Sequence, residues 1–289
     1  MRAGRPSAPR KKSPASRNLK QGLETLCRRF NRSMLSPDPL ECVPRTGEFR
    51  DIELSAFLAA LFAYGRADII VCNVRGILSE LGPRPHAALM EGEHKARLKG
   101  WKYRFHKRDD LLWLLDRLRG IYAAHGTLEN AFCATHGDME TRLAAFAQLF
   151  HGGKKLSAAK SFLVPSPVNG SACKRMNLFL RWMARKDDVD IGLWTRISPA
   201  ELIMPLDVHV DRIAGRLGLV DSKGAANFKK ALALTNRFRE FDPADPVRYD
   251  FALCSLGKLG HCEKTPDPAS CLACALRDCC TAHAVSRMG

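Results

Sequence analysis

The sequence predicts an all-α protein. Leu, Ala and Arg are abundant, and no stretch sustains the apolar/polar alternation of a half-buried strand. Apolar residues recur instead at helical spacing: Val210, Ile213, Ala214 and Leu217 put residues 208–217 on one helix face. Asp207 stands at or beside the N-cap of that helix, where free N–H groups and the helix dipole favour a carboxylate, and Gly218 ends it. A chain of 289 residues can bury a substantial core, as one large or two medium domains.

In chain order, residues 1–18 (MRAGRPSAPRKKSPASRN) can bury nothing and read as a disordered basic tail, phosphate-attracting or merely solubilising. A short helix is expected over 19–34, followed by a loop. Residues 51–64 (DIELSAFLAALFAY) are apolar on most sides and predict a buried core helix. After a break at Gly65, a second helix covers 67–81. Residues 100–105 (GWKYRF) interleave Trp101, Tyr103 and Phe105 with Lys102 and Arg104. That suits a nucleic-acid-facing loop or extended segment, and equally a helix-covering loop with snorkelling cations. Helices follow at 109–124, capped by Asp109 and ended by Gly126, at 128–136 behind Thr127, and at 138–150, broken by Gly152 and Gly153. The turn from Pro165 to Ala172 runs into an apolar helical pattern with Lys174 in its first turn. A helix at 225–240 turns Phe228, Ala231, Leu232 and Phe238 inward and Lys229, Lys230, Arg237 and Arg239 outward. Asp245-Pro246 opens another helix, through Leu256.

The formal charge is +16 with a pI near 9.6, which suits a polyanionic partner. Residues 1–20 hold seven Lys and Arg and no acid, leaving +9 on residues 21–289, so the body is basic in its own right. No apolar run approaches membrane-spanning length, and the N-terminus lacks the apolar core of a signal peptide. The expectation is a soluble cytoplasmic, nucleoid-associated monomer that binds nucleic acid and no membrane.

Two stretches carry chemistry. Backbone N–H groups at the start of the helix near Ala172 form a place where phosphate binds without any special side chain. Lys174 and Asp207, taken singly, are a solvated lysine and an ordinary N-cap. Taken with their neighbours, Val168-Asn169-Gly170-Ser171-Ala172-Cys173-Lys174 and Leu206-Asp207-Val208-His209-Val210, followed by Arg212 and Arg216, are more specific. They resemble the two signature blocks of the helix-hairpin-helix (HhH-GPD) DNA glycosylases of the endonuclease III superfamily, and an uncharacterised subgroup of it. Asn169 replaces the family's proline and Ala172 its second glycine, and alanine lacks glycine's ease at positive φ. Gly65 stands where the family carries a DNA-inserting glutamine. Tyr64 or Arg66 could replace it, or Tyr64 could simply pack.

Six of the eleven cysteines fall within 254–289. Cys262, Cys271, Cys274 and Cys280 give C-x8-C-x2-C-x5-C, which argues for metal rather than disulfides, and zinc is the generic answer for four thiolates. A redox reading of Cys271 and Cys274 lacks the βαβ pattern it requires. The resemblance implies a [4Fe–4S] cluster in this loop, whose first spacer (EKTPDPAS) is two residues longer than the family's. Cys279 competes with Cys280 as fourth ligand, and Cys254 is expected to pack.

The resemblance covers roughly residues 50–280. It implies two lobes: a helical barrel at 51–185 ending in the hairpin, and a second lobe of 19–50 plus 186–289 with the Cys-rich loop at 254–280. It also implies a DNA repair glycosylase with AP lyase activity on double-stranded DNA bearing a damaged base or abasic site, with Lys174 as amine nucleophile assisted by Asp207. Tyr64, Arg66, Val168, Gly170, Ala172, Asn177 and His209 would meet DNA, although Asn177 also suits a role tying the hairpin together and His209 a place on a helix face. Lys154, Lys155 and Lys160 are alternative amines. A lesion-recognition protein without catalysis, and a glycosylase using Asp207 alone, are the rival readings.

Overall fold

A computed structural model describes residues 14–153, 155–221 and 223–282. Over these the chain is mostly helical, with fourteen α-helices, short 3-10 turns and one two-stranded hairpin. Helix α1 (Pro14–Arg29) starts inside the stretch expected to be a basic tail. Leu19, Leu23 and Leu26 bury one stripe of it, and the polar turn ahead of that stripe carries no capping signature in the sequence. Residues 1–13 of the expected tail lie outside the described residues. The chain leaves the helix at Arg29, short of the expected 34, because Asn31 caps a separate 3-10 turn by accepting the Ser33 N–H at 2.9 Å.

Helix α2 (Phe49–Leu61) is the centre of the molecule, with every residue from Ile52 to Leu61 buried. Phe57 on it stacks on Phe150 at 5.6 Å and meets Phe179 edge-on at 5.0 Å. Around it run α3 (Ala67–Leu81), α4 (Pro85–Glu91), α5 (His94–Arg97), the hairpin β1 (Lys102–Tyr103) and β2 (His106–Lys107), α6 (Arg108–His125), α7 (Leu128–Cys133), α8 (Met139–His151), α9 (Ala158–Leu163) and α10 (Lys174–Ala184). The C-terminal part supplies α11 (Val208–Arg216), α12 (Phe228–Arg239), α13 (Asp250–Lys258) and α14 (Pro268–Leu272). Helix α1 packs on α13 and on the 277–279 turn, whereas the 39–42 turn packs on α2 and α3.

Several boundaries follow from local chemistry. Thr127 and Asp138 cap α7 and α8 by accepting the N–H of Asn130 (3.0 Å) and Thr141 (2.9 Å). For α6 the capping carboxylate is Asp110 rather than Asp109, accepting the Lys107 N–H at 3.0 Å. Helix α13 begins at Asp250, not at Pro246, because the Asp245 carboxylate is taken by Arg185 at 2.8 Å. Lys230 does not face outward: its ammonium meets Asp211 at 2.6 Å in a nearly closed site.

Two buried ionic knots join distant elements. Glu53 accepts the N–H groups of Leu128 (2.9 Å) and Glu129 (3.0 Å) and the Trp194 indole N–H (2.8 Å), so a core carboxylate caps α7 from another helix. Arg181 on α10 donates to Asp190 at 3.0 Å and to Asp250 at the start of α13, while Arg185 holds Asp190, Asp187 and Asp245. Replacing Arg181 by Met leaves Asp250 buried without its cation and Asp190 with Arg185 alone, a loss of about 3–5 kcal/mol. Urea unfolding of Arg181→Met against the parent checks this.

Candidate active site

The hairpin between α9 and α10 closes with Gly170 at φ 74° and Cys173 at φ 49°. The expected strain at Ala172 does not arise, because the left-handed residues are its neighbours. Ala172 is buried, and its carbonyl accepts the Asn177 side-chain N–H at 3.1 Å. Asn177 is 1% exposed and staples the hairpin, so the expectation that it touches DNA is corrected. No side chain caps α10, which leaves its first N–H groups available to a ligand. Lys174 opens this helix, and its ammonium donates to the Ala63 carbonyl at 3.2 Å without forming an ion pair among the described residues.

Asp207 is the N-cap of α11. One oxygen accepts the N–H of His209 (2.9 Å) and Val210 (2.8 Å), and the other accepts the Cys254 thiol at 3.4 Å. Lys174 and Asp207 line one cleft of about 1090 Å³, together with Tyr64, Ala172, His209 and Asp250. Both charges act on the same three neighbours, His209, Asp250 and Cys254.

The remaining expected contacts divide. Val168 (77% exposed) and Gly170 stand on the hairpin outside the cleft lining. Arg66 is exposed and paired with Asp68 at 2.7 Å, also outside the lining. Tyr64 is a wall residue rather than a protruding wedge: its hydroxyl bonds His106 at 2.6 Å and its ring packs against Tyr103 and Phe162 at 5.0 Å. Gly65 between them has φ 114°, and a Cβ there would stand 3.0 Å from the Arg104 guanidinium, so no side chain is accommodated. His209 packs against α13 where Gly257 leaves room. Burial, opposed by Asp207 and assisted by Arg212, holds its pKa below the ordinary value, so the ring is neutral near pH 7. Lys155 and Lys160 are not among the lining residues, and Lys154 lies outside the described residues.

Several lining residues carry no signal in the sequence: Asp38, Phe162, Arg175, Asp250, Cys254 and Lys258. Burial pushes the Asp250 carboxyl up to about 6 against the pull of Arg181, with Asp207 adding to the rise. Lys258 bridges to Asp38 at 3.2 Å, tying α13 to the turn at the cleft floor.

The opposite end of α11 holds the cysteine loop. Arg212 donates to the Cys262 carbonyl at 2.6 Å, and Arg216 to the Cys262 sulfur at 3.1 Å and the Lys264 carbonyl at 2.8 Å. Cys274 has its thiol pKa raised by burial and by Cys262, Cys280 and Cys271, so these four sulfurs lie within electrostatic reach of one another. The Cys279 thiol responds instead to burial, Asp278 and Cys280. Among the described residues no three His, Cys, Asp or Glu converge as ligands of a single ion.

Residues 38–259 match the family model described as Protein of unknown function (DUF2400). The chain belongs to the DUF2400 family. The DUF2400 match covers every lining residue of the cleft except Pro37 and stops short of Cys262. No curated protein and no solved structure matches the chain. No helix among the described residues is long and apolar enough to cross a membrane.

Two outcomes follow from this geometry. A Cβ on Gly257 would stand 2.6 Å from the His209 Cβ, so Gly257→Ala lowers stability by about 1–3 kcal/mol in urea unfolding, against the usual helix preference for alanine. His86, His94, His106 and His209 all have pKa values lowered from 6.5, chiefly by burial. The folded state binds their protons less tightly than the unfolded chain, so their contribution is complete above about pH 6.5 and lost as pH falls below it. Taken alone the histidines lower the urea midpoint at about pH 5.5 relative to about pH 7.5, whereas Asp250, raised to about 6, favours the folded state as pH falls through that value and works against them.

Proposed function

We propose that this protein is a DNA repair glycosylase with AP lyase activity, built on the helix-hairpin-helix glycosylase fold, acting on double-stranded DNA with a damaged base or abasic site. The observation that carries the reading is the placement of the Lys174 ammonium and the Asp207 carboxylate in one cleft large enough for an extruded nucleotide. Among the described residues Lys174 has no carboxylate partner, and Asp207 is fixed by two backbone N–H groups with its second oxygen beside Cys254. An amine in the same cleft as a fixed carboxylate suits attack on an electrophilic sugar carbon.

In this mechanism Lys174 passes an ammonium proton to Asp207 and donates the freed lone pair to C1′ as the C1′–N bond breaks, and the base leaves with that bonding pair and takes up the proton from Asp207. Asp207 stabilises the positive charge developing on the sugar and carries protons between amine and ring oxygen. The ring opens to an imine, a C2′ proton is lost, and the 3′ phosphate departs with the C3′–O bonding pair. Water then releases the lysine. The net charge of +16 supports a polyanionic substrate.

Cys262, Cys271, Cys274 and Cys280 suit a [4Fe–4S] cluster, with zinc as the alternative. The four sulfurs lie within electrostatic reach of one another and Arg216 donates an N–H to one of them, which supports this reading, although among the described residues no three of them converge on a single ion. A cluster bound there supplies a rigid link between the loop and α11. If the cluster is bound, freshly purified protein is brown, with broad absorption near about 400 nm that disappears when all four cysteines are replaced by serine.

Borohydride trapping on DNA with an abasic site tests the activity. A covalent adduct that is lost in Lys174→Ala supports the lyase. No adduct, with base release that disappears in Asp207→Asn, indicates a glycosylase using Asp207 alone. Neither activity on a broad lesion panel leaves a DNA-binding module.

A further inference from the structure

Large apolar side chains are rarely left exposed beside a polar cleft without a ligand to cover them. Phe162, at the end of α9, is 40% exposed and lines the cleft. Phe105, at the tip of the β1–β2 hairpin, is 52% exposed and stands edge to face with Phe162, ring centroids 5.0 Å apart. Tyr64 backs Phe162 at the same separation.

Behind these rings lies Arg175, a buried guanidinium 4.3 Å from the Phe162 centroid and 5.1 Å from that of Tyr64. It donates to the Leu61 carbonyl at 2.6 Å and to the Phe162 carbonyl, and it forms no ion pair with a carboxylate among the described residues. A cation packed beneath an aromatic ring is drawn to the electron density of that ring and withdraws it from the exposed side. A flat, electron-rich ring is the complementary partner for such a surface. The nearby Arg104, 5.9 Å from the Tyr64 ring and exposed, adds positive charge for a phosphate alongside.

We infer that Phe162, with Phe105 beside it and Arg175 beneath, is a stacking ledge for one unpaired nucleobase at the hairpin-side wall of the cleft. The inference rests on the DNA reading above and adds the residues that would hold a base rather than a sugar. It also accounts for two features that the Lys174–Asp207 chemistry leaves unused: the outward phenylalanine pair and the buried guanidinium with no counter-ion. The bound base would be held by its face, which every base offers, so the ledge provides grip without sequence preference.

The test compares the affinity of the full chain for two duplexes, one with a single unpaired 2-aminopurine nucleotide and one with a tetrahydrofuran abasic analogue at the same place. The parent protein is expected to favour the base-bearing duplex by about tenfold or more, with quenching of 2-aminopurine fluorescence on binding. Phe162→Ala brings that ratio close to one, Phe105→Ala reduces it partway, and Phe162→Trp restores it. Thermal unfolding of each variant verifies folding, and a loss of charge or of overall affinity leaves the ratio where it was. An unchanged ratio in Phe162→Ala, or a parent protein that binds both duplexes equally, overturns the ledge while leaving the DNA reading standing. A parent protein that binds neither duplex overturns both.

Discussion

The candidate site depends on a guanidinium taken out of water. Arg181 is buried midway along α10, where it meets Asp190 from the following loop and Asp250 from the first turn of α13. A charge in that position is tolerated only while both carboxylates remain in place, so the pairing fixes α10 against α13. Helix α10 carries Lys174 at its start, and α13 packs on α11, whose N-cap is Asp207. The close approach of α11 to Gly257 completes the link. The two groups proposed to act on one sugar are thus held through Arg181 and Asp250, which themselves line the cleft.

The same helix, α11, connects two candidate centres. Its N-terminus presents Asp207 to the cleft, and its C-terminal half sends Arg212 and Arg216 to the Cys262–Lys264 strand of the cysteine loop. A loop stiffened there would stabilise the helix end farthest from the proposed chemistry. The cleft itself is electrostatically mixed. Lys174, Arg175 and Lys258 supply positive charge, Asp38, Asp207 and Asp250 supply negative charge, and His209 is held neutral by burial. In the proposed reading, attraction to phosphate would come from the basic chain as a whole and from the uncapped start of α10.

What was legible in the sequence was mainly local. Asp138, Thr127 and Asp207 could be read as caps because a cap bonds N–H groups two or three residues on, and α3 runs over the 67–81 expected after the break at Gly65. Lys174 and Asp207, singled out from two short blocks, line one cleft. Interactions between distant segments left no comparable trace. Glu53 reads as a polar interruption in an apolar helix, yet it caps α7 from across the core. Lys230 reads as a solvated cation until Asp211 is brought to it, and Asp245 reads as a helix opener until Arg185 claims it. Phe105 reads equally as nucleic-acid-facing or as part of a helix-covering loop, and Arg104 at φ 54° turns the hairpin so that Phe105 is exposed. Each miss is a partner supplied by tertiary structure, which periodicity cannot contain.

The account stands or falls on which amine meets the sugar. Abasic DNA reduced with borohydride in the presence of the full-length protein, followed by proteolysis and mass mapping of the DNA-bearing peptide, identifies that amine directly. The account requires the adduct on Lys174. An adduct on Lys155, Lys160 or a residue outside the cleft contradicts it.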